Sequence, residues 1–304
     1  MSFALVHHPD YVAPLPPGHS FPMSKYGLVM EALADLGADF EVHAPNAVPT
    51  AWFEAVHDPA YVAAVFAGTL DPAITRRIGF PVTPQVARRS RLVSGGTWLA
   101  ARLALRHGFA VNGAGGSHHA LPASGAGFCV FNDLAVAGAR LLSEGSVKRL
   151  LVVDLDVHQG DGTATIFAGR SDALTFSMHA AKNFPVRKAL STRDVELPDG
   201  IGDEDYLALL TTELPAMLDT HKPDLVLYQA GVDPHASDRL GRLALSDVGL
   251  QCRDAYVVEA CRKRGIPVAA TLGGGYAQDR RIVAERHARG IVAMAGAALS
   301  FAAV

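Results

Sequence analysis

A chain of 304 residues that is 49% hydrophobic and 19% charged can bury a full core, as one large α/β domain or two small ones. Its 27 basic and 30 acidic side chains leave a formal net charge of -3, which excludes a broad basic surface for nucleic acid. Cys129, Cys252 and Cys261 are an odd count in no metal-finger spacing, so a reducing compartment without a disulfide framework is expected.

Phe3 to Val6 reads as a short strand, followed by a Pro-rich loop from Tyr11 to Ser20. Ser24 is placed to cap a helix from Lys25 to Leu36, stopped at Gly37, before a second strand at Phe40 to His43. Trp52 to Phe66 carries short helical segments, with Asp58 and Pro59 in the N-cap and first helical places. Thr69 to Pro84 reads as a loop. Gln85 to His107 reads as a long helix in which Gly95 and Gly96 permit close backbone approach. From there strands and helices alternate. Strands are expected at Ala110 to Asn112, from Leu150, at Ala173 to Met178, Asp224 to Gln229 and Val268 to Leu272. Helices capped at Asn132 or Asp133, at Asp203 and at Ser246 lie between them, with a short helix from Thr163 to Phe167. Ala180 to Gly202 reads as a loop. The alternation predicts an α/β fold over residues 1–304, one predominantly parallel sheet in a single domain with helices on both faces.

The N-terminus has neither a basic nor an apolar signal region, and the apolar stretch from Ile291 to Val304 is too short to span a bilayer. That stretch reads as a docked terminal helix, and the chain as a soluble cytoplasmic protein without a membrane partner. The bunched cations at Arg88, Arg89 and Arg91 and at Arg262 to Arg264 read as solvated helix faces. His7, His8, His19, His43, His57 and His107 read as structural or solvated. The sequence sets no oligomeric state.

The chemistry gathers after the strands. The apolar run Leu150 to Val153 leads into Asp154, Asp156 and His158, whose two-residue spacing would line one face of an extended strand. Leu155 and Val157 would point into packing. In parallel α/β sheets ligands bind beyond the carboxyl ends of the strands. Four such loops carry unusual residues: His118 and His119 in a Gly-rich loop, Asp156, His158 and Asp161, then Asp233, then Gly273 to Tyr276. Asp156, His158 and Asp233 would hold one divalent cation with an open position, Zn²⁺ or Fe²⁺, able to activate a water near neutral pH. The adjacent histidines could supply a general base and a charge-stabilising partner, with Asp154 and Asp161 behind them. Tyr276 is placed to donate to a developing oxyanion. Neither Gly-rich loop has the dinucleotide fingerprint.

Taken together, Gly115 to Ala120, Gly127-Phe128-Cys129 with Asn132-Asp133, Asp154 to Gly162, Asp233, and Gly274-Gly275-Tyr276 resemble the histone deacetylase family. The resemblance runs from Phe3 to about Ala297. It implies the arginase/deacetylase α/β fold and a single catalytic Zn²⁺ on Asp156, His158 and Asp233. It makes His118 and His119 the tandem histidines, paired with Asp154 and Asp161, with His119 the proton shuttle. Tyr276 becomes the residue that polarises the acyl carbonyl. It further implies an acyl-lysine tunnel with Gly127, Phe128, Phe184 and Leu240 in its wall and rim. A structural K⁺ site would involve Asp154, Asp156, His158, Ser177 and Met178, and a second monovalent site Phe167, Arg170 and Ala173. Gly18 to Tyr26 and Asp238-Arg239-Leu240-Gly241 look like the class IV branch and its bacterial relatives, some of which prefer long fatty-acyl groups. Thr69 to Pro84 lacks an acidic grip for a peptide backbone, so histone specificity is not implied. The expected reaction is removal of an acetyl or longer acyl group from Nε-acyl-lysine in a protein or peptide. Three alternatives stand beside it: a small acylated amine such as an acetylpolyamine as substrate, a two-metal ureohydrolase, and a non-catalytic acyl-lysine binding module.

Overall fold

The computed structural model describes residues 2–299, so the last five residues of the expected terminal helix, 300–304, lie outside the described residues. Eight strands form one parallel sheet: β1 (Phe3–Val6), β2 (Phe40–His43), β3 (Phe109–Asn112), β4 (Leu150–Asp154), β5 (Ala173–Ala180), β6 (Arg193–Leu197), β7 (Leu225–Gln229) and β8 (Val268–Thr271). Their spatial order is β2-β1-β3-β8-β7-β4-β5-β6, and every pairing is parallel. The strand-helix alternation of the sequence is therefore the architecture.

The pleat of β4 explains its nearly unbroken apolar run. Leu150 and Val152 pack into one apolar cluster with Leu134 and Leu141 of helix Asp133–Ser143. Leu151 and Val153 pack on the other face with Leu210 and Leu214 of helix Asp203–His221. Burying such a side chain contributes roughly 1.5–3 kcal/mol, so both faces have to stay apolar. The four central strands β3, β8, β7 and β4 each end on a polar residue, in register with Ser177 of β5. Asn112 is register partner of Thr271, Thr271 of Gln229, Gln229 of Asp154, and Asp154 of Ser177. This buried polar row runs across five strands and marks the edge on which a site can be built.

Several local expectations are corrected. Within Thr69 to Pro84 a helix spans Pro72–Ile78, capped by Asp71 and stopped at Gly79. Its Asp-Pro start repeats the Asp58-Pro59 signal of helix Pro59–Ala67. The Ala180 to Gly202 segment contains the edge strand β6, whose alternating exposure lacks a strong apolar run. Gly202 rather than Asp203 is the N-cap residue of its helix, and the Asp203 carboxylate instead accepts from the backbone N–H and hydroxyl of Ser246. Ser24 makes no side-chain cap bond. Arg89 is not solvated: it is buried, donates to the Tyr11 carbonyl and lies 4.6 Å from the Tyr26 ring centroid. Arg91 is half-buried and donates to the Val48 carbonyl, so only Arg88 of that bunch behaves as expected. Gly95 and Gly96 do permit close approach, a Cβ there meeting Asn46 and Tyr11 respectively. Among the described residues no helix is long and apolar enough to cross a membrane, and the three cysteines are unpaired.

Candidate metal and catalytic site

β4 stops at Asp154, so Asp156 and His158 do not share a strand face; they sit in the turn that follows. A relay of short-range bonds shapes that turn. The Asp156 N–H donates to Asp154 Oδ1 at 3.2 Å, and the His158 N–H donates to Asp156 Oδ1 at 3.0 Å. Leu155 and Val157 are fully buried between them, as expected. Asp233 arrives from the loop after β7, the neighbour of β4, and its Oδ1 accepts from the Val157 N–H at 2.9 Å.

One ligating atom from each of Asp156, His158 and Asp233 lies within 4.8 Å of the others, all three residues being buried. His158 Nδ1 is 3.0 Å from Asp156 Oδ1 and 3.3 Å from Asp233 Oδ2. Burial and then the charge of Asp156 push the Asp233 carboxyl up to about 7. Burial also opposes the Asp156 charge, yet His118 and His158, with a bond from Gln229, hold it well below the usual carboxylate range. The donor set fits a divalent cation on three counts. Two buried carboxylates face one imidazole, a combination whose repulsion a shared dication relieves. Asp233 Oδ2 is buried without a hydrogen-bond partner. Residue 274 is glycine where a Cβ would meet Asp233 Oδ2 and lie 2.7 Å from Asp156 Oδ2. The Gly274 N–H and Gln229 Nε2 both donate to Asp156 Oδ2, at 2.9 and 2.8 Å, and so orient that carboxylate.

The tandem histidines lie beside this set. His118 Nδ1 donates to Asp154 Oδ2 and His119 Nδ1 to Asp161 Oδ1, each at 2.7 Å. Their loop is pinned by Asp133, which accepts from the backbone N–H groups of Gly116 and Ser117. Asn132, not Asp133, is the N-cap of the helix that follows. Asp161 is the first residue of helix Asp161–Ile166, with its carboxylate on His119. Burial would lower both imidazoles. For His118 the charges of Asp154 and Asp156 overcome burial and raise it to about 9. For His119 burial and the neighbouring His118 prevail, and it falls to about 4.

Above these groups a cavity of about 310 Å³ opens to the surface, lined by His119, Gly127, Phe128, Phe184, Leu240 and Tyr276. The ring of Phe184 stands edge-on to His119 at 4.8 Å, and that of Phe128 lies 5.7 Å from Tyr276. Phe128 has φ of 64°, a strained conformation for a side chain that size. Its N–H donates to the Ile78 carbonyl at 2.8 Å, which holds the ring in the wall. Arg77, Ile78 and Gly79 complete the wall from the end of the short helix Pro72–Ile78.

Three supporting residues carried too weak a signal in the sequence. Lys25 is fully buried, its Nζ donating to the Gly273 carbonyl at 2.7 Å and lying 5.9 Å from the Tyr276 ring centroid. A single Lys opening an amphipathic helix reads as surface. Gln229 closes an apolar strand, a pattern that does not mark its hydrogen bond to Asp156. Asp238 accepts from the Tyr276 N–H at 2.6 Å and from the N–H groups of Leu240 and Gly241, so one carboxylate fixes both the phenol loop and the rim. His57, as expected, is structural: Nδ1 donates to the Leu121 carbonyl and Nε2 accepts from the Asn132 N–H. Arg170 is engaged by Asp172.

The family described as Histone deacetylase domain matches residues 19–290. The chain belongs to the histone deacetylase family. A histone deacetylase relative, Histone deacetylase 2 of Arabidopsis thaliana, is 32% identical over 68% of the chain and 54% of its own length. A probable deacetylase of Methanothermobacter thermautotrophicus is 32% identical over 64% of the chain and 62% of its own length. The chain thus spans a little over half of these named relatives. An uncharacterized protein of Picosynechococcus sp. is 48% identical over 94% of the chain and 96% of its own length. The crystal structure of the HDA15 HD domain superposes with a TM-score of 0.80 over 97% of the chain and 88% of its own, at 22% identity, which establishes the histone deacetylase fold. Family membership supports a deacetylase-type hydrolase activity.

Proposed function

We propose that the chain is a metal-dependent deacylase that hydrolyses the amide of Nε-acyl-lysine, within a single catalytic domain. The observation that carries the reading is that Asp156, His158 and Asp233 bring their ligating atoms together while His158, His119 and Tyr276 line one aromatic-walled cavity, with His118 against His119. Asp156, His158 and Asp233 would hold the cation, Zn²⁺ by family resemblance and Fe²⁺ by the same donors. Such a cation supplies Lewis acidity toward water and the acyl carbonyl. His119, neutral and oriented by Asp161, takes a proton from the attacking water as the new C–O bond forms. The Tyr276 hydroxyl donates to the carbonyl oxygen as it gains negative charge. The protonated His119 returns its proton to the lysine nitrogen as the C–N bond breaks. His118, kept charged by Asp154 and Asp156, stabilises that negative charge without moving a proton. Asp154 and Asp161 are committed to histidines, which favours one metal over a ureohydrolase pair. A structural K⁺ is proposed at Asp154, Asp156, His158, Ser177 and Met178, the first and fourth being register partners. Three unpaired cysteines support a reducing, cytoplasmic setting.

The test is a panel of acetyl- to long-chain acyl-lysine peptides with Zn²⁺- or Fe²⁺-loaded protein, before and after chelation. Turnover that chelator abolishes and metal restores is expected. Chelator-resistant turnover, or none with either metal, would sink the reading.

A further inference from the structure

We infer that the cavity mouth selects acyl-lysines flanked by acidic side chains. This rests on the deacylase reading and deepens it. A second cavity, of about 490 Å³, lies beside the first and shares Arg77 and Phe184 with it. Arg187 and Lys188 line it too. Arg77 and Arg187 are exposed, and neither guanidinium has a carboxylate partner among the described residues. Lys188 braces the loop by donating to the carbonyls of Asn183 and Pro185. Lys182 and Arg239 directly precede the rim residues Asn183 and Leu240 and are exposed as well.

Against these cations stand Asp161, whose Oδ1 is taken by His119, and Asp238 behind the rim, whose oxygens accept from the backbone N–H groups of Leu240, Gly241 and Tyr276. The mouth is therefore basic on a molecule whose net charge is -3. The groups nearest the mouth in a bound substrate lie on the amine side of the scissile bond, since the acyl chain points inward. Carboxylates there would be attracted by the unpaired guanidinium groups, an attraction that acts over a Debye length of about 8 Å, whereas polyamines and lysine-rich tails would be repelled. Val186 and Leu190, 95% and 87% exposed on the same loop, offer apolar contact to the remainder of a peptide.

The test compares metal-loaded protein on acyl-lysine peptides flanked by Asp, by Gln or by Lys, at low and high ionic strength. Binding of the same labelled peptides is read by anisotropy. The Asp-flanked peptide should lead the Lys-flanked one by about tenfold in kcat/KM and in binding, the gap closing at high salt. The R77E/R187E double variant, checked for a wild-type melting curve, should reverse that order. Equal values for all three peptides at low salt would overturn the inference. So would retention of the protein on anionic phosphatidylserine vesicles with no preference among peptides, which would assign the basic rim to a membrane surface. Failure to turn over even the Gln-flanked peptide would instead count against the deacylase reading, and the binding order would still decide the charge preference.

Discussion

The rings of His118 and His119 lie 4.0 Å apart, yet their surroundings push them to opposite protonation states. Each has a carboxylate behind it, so the difference lies in the rest of its surroundings. Both are buried, but His118 also feels Asp156, while His119 has the charged His118 beside it. Paired groups driven apart in this way divide acid-base labour.

His119 works as a base only while neutral, and it is lowered from 6.5 to about 4. Its neutral fraction is full at neutral pH and is lost only as pH falls through about 4. A bound dication would lower it further. The acid limb of kcat/KM should therefore lie well below the ordinary histidine value, and H119A should lose about 10²–10⁴-fold in turnover with metal retained. A limb centred at 6.5 in the pH profile would contradict the assignment of His119.

Removing the Tyr276 hydroxyl deletes a donor aimed at developing charge. Y276F should lower kcat by about 10²–10³-fold with little change in KM or metal content. The Asp238 carboxylate holds Tyr276 and Leu240 through their backbone N–H groups, so D238A should disturb kcat and KM together. Steady-state kinetics separates the two patterns. Near-normal turnover in Y276F would remove Tyr276 from the chemistry.

Much of this arrangement was legible in the sequence because parallel strands place their following loops on one edge. Asp156, His158 and Asp233 could be grouped from strand ends alone, and the structure brings their ligating atoms together. Asp156 and His158 are not aimed by a strand pleat as their two-residue spacing predicts: β4 ends before them, and local backbone bonds aim them instead. Lys25, Gln229 and Asp238 were hidden because their roles arise from tertiary contacts that no spacing encodes. The cavity wall at Arg77 to Gly79 escaped for a different reason. Its helix is seven residues long, and turn formers on both sides mask an Asp-Pro start that stands out at Asp58-Pro59, thirteen residues earlier.

Close packing around the ligands gives the next prediction. A Cβ at residue 274 would collide with Asp233 and crowd Asp156, so G274A should displace a carboxylate and reduce bound metal while leaving the sheet intact. D233N should act differently. It removes a carboxyl raised to about 7 by burial and Asp156, a group whose ionisation costs the metal-free protein stability as pH rises through that value. Metal-free D233N should therefore melt at or above wild type at alkaline pH but gain little from added Zn²⁺. Melting curves with and without metal, alongside metal analysis, check both variants.

His57 offers a stability test remote from the reaction. It is 3% exposed and sits between a carbonyl acceptor and an N–H donor, the pattern of a neutral imidazole. Burial, the largest influence, lowers it from 6.5 to about 4 despite hydrogen bonds that favour the charged form. The unfolded chain therefore takes up a proton at this site near 6.5 that the folded chain resists until about 4. Stability contributed by neutral His57 is full above 6.5 and is lost as pH falls toward 4, by on the order of 3 kcal/mol. His119 and His179, also lowered to about 4, pull in the same direction, so wild type alone cannot isolate the effect. H57Q keeps an amide donor and acceptor but does not titrate. Its urea midpoint should lie below wild type at neutral pH and draw level with it, or pass it, near pH 4.5. A constant difference across that range would mean that His57 stays protonated, or stays neutral, in both states.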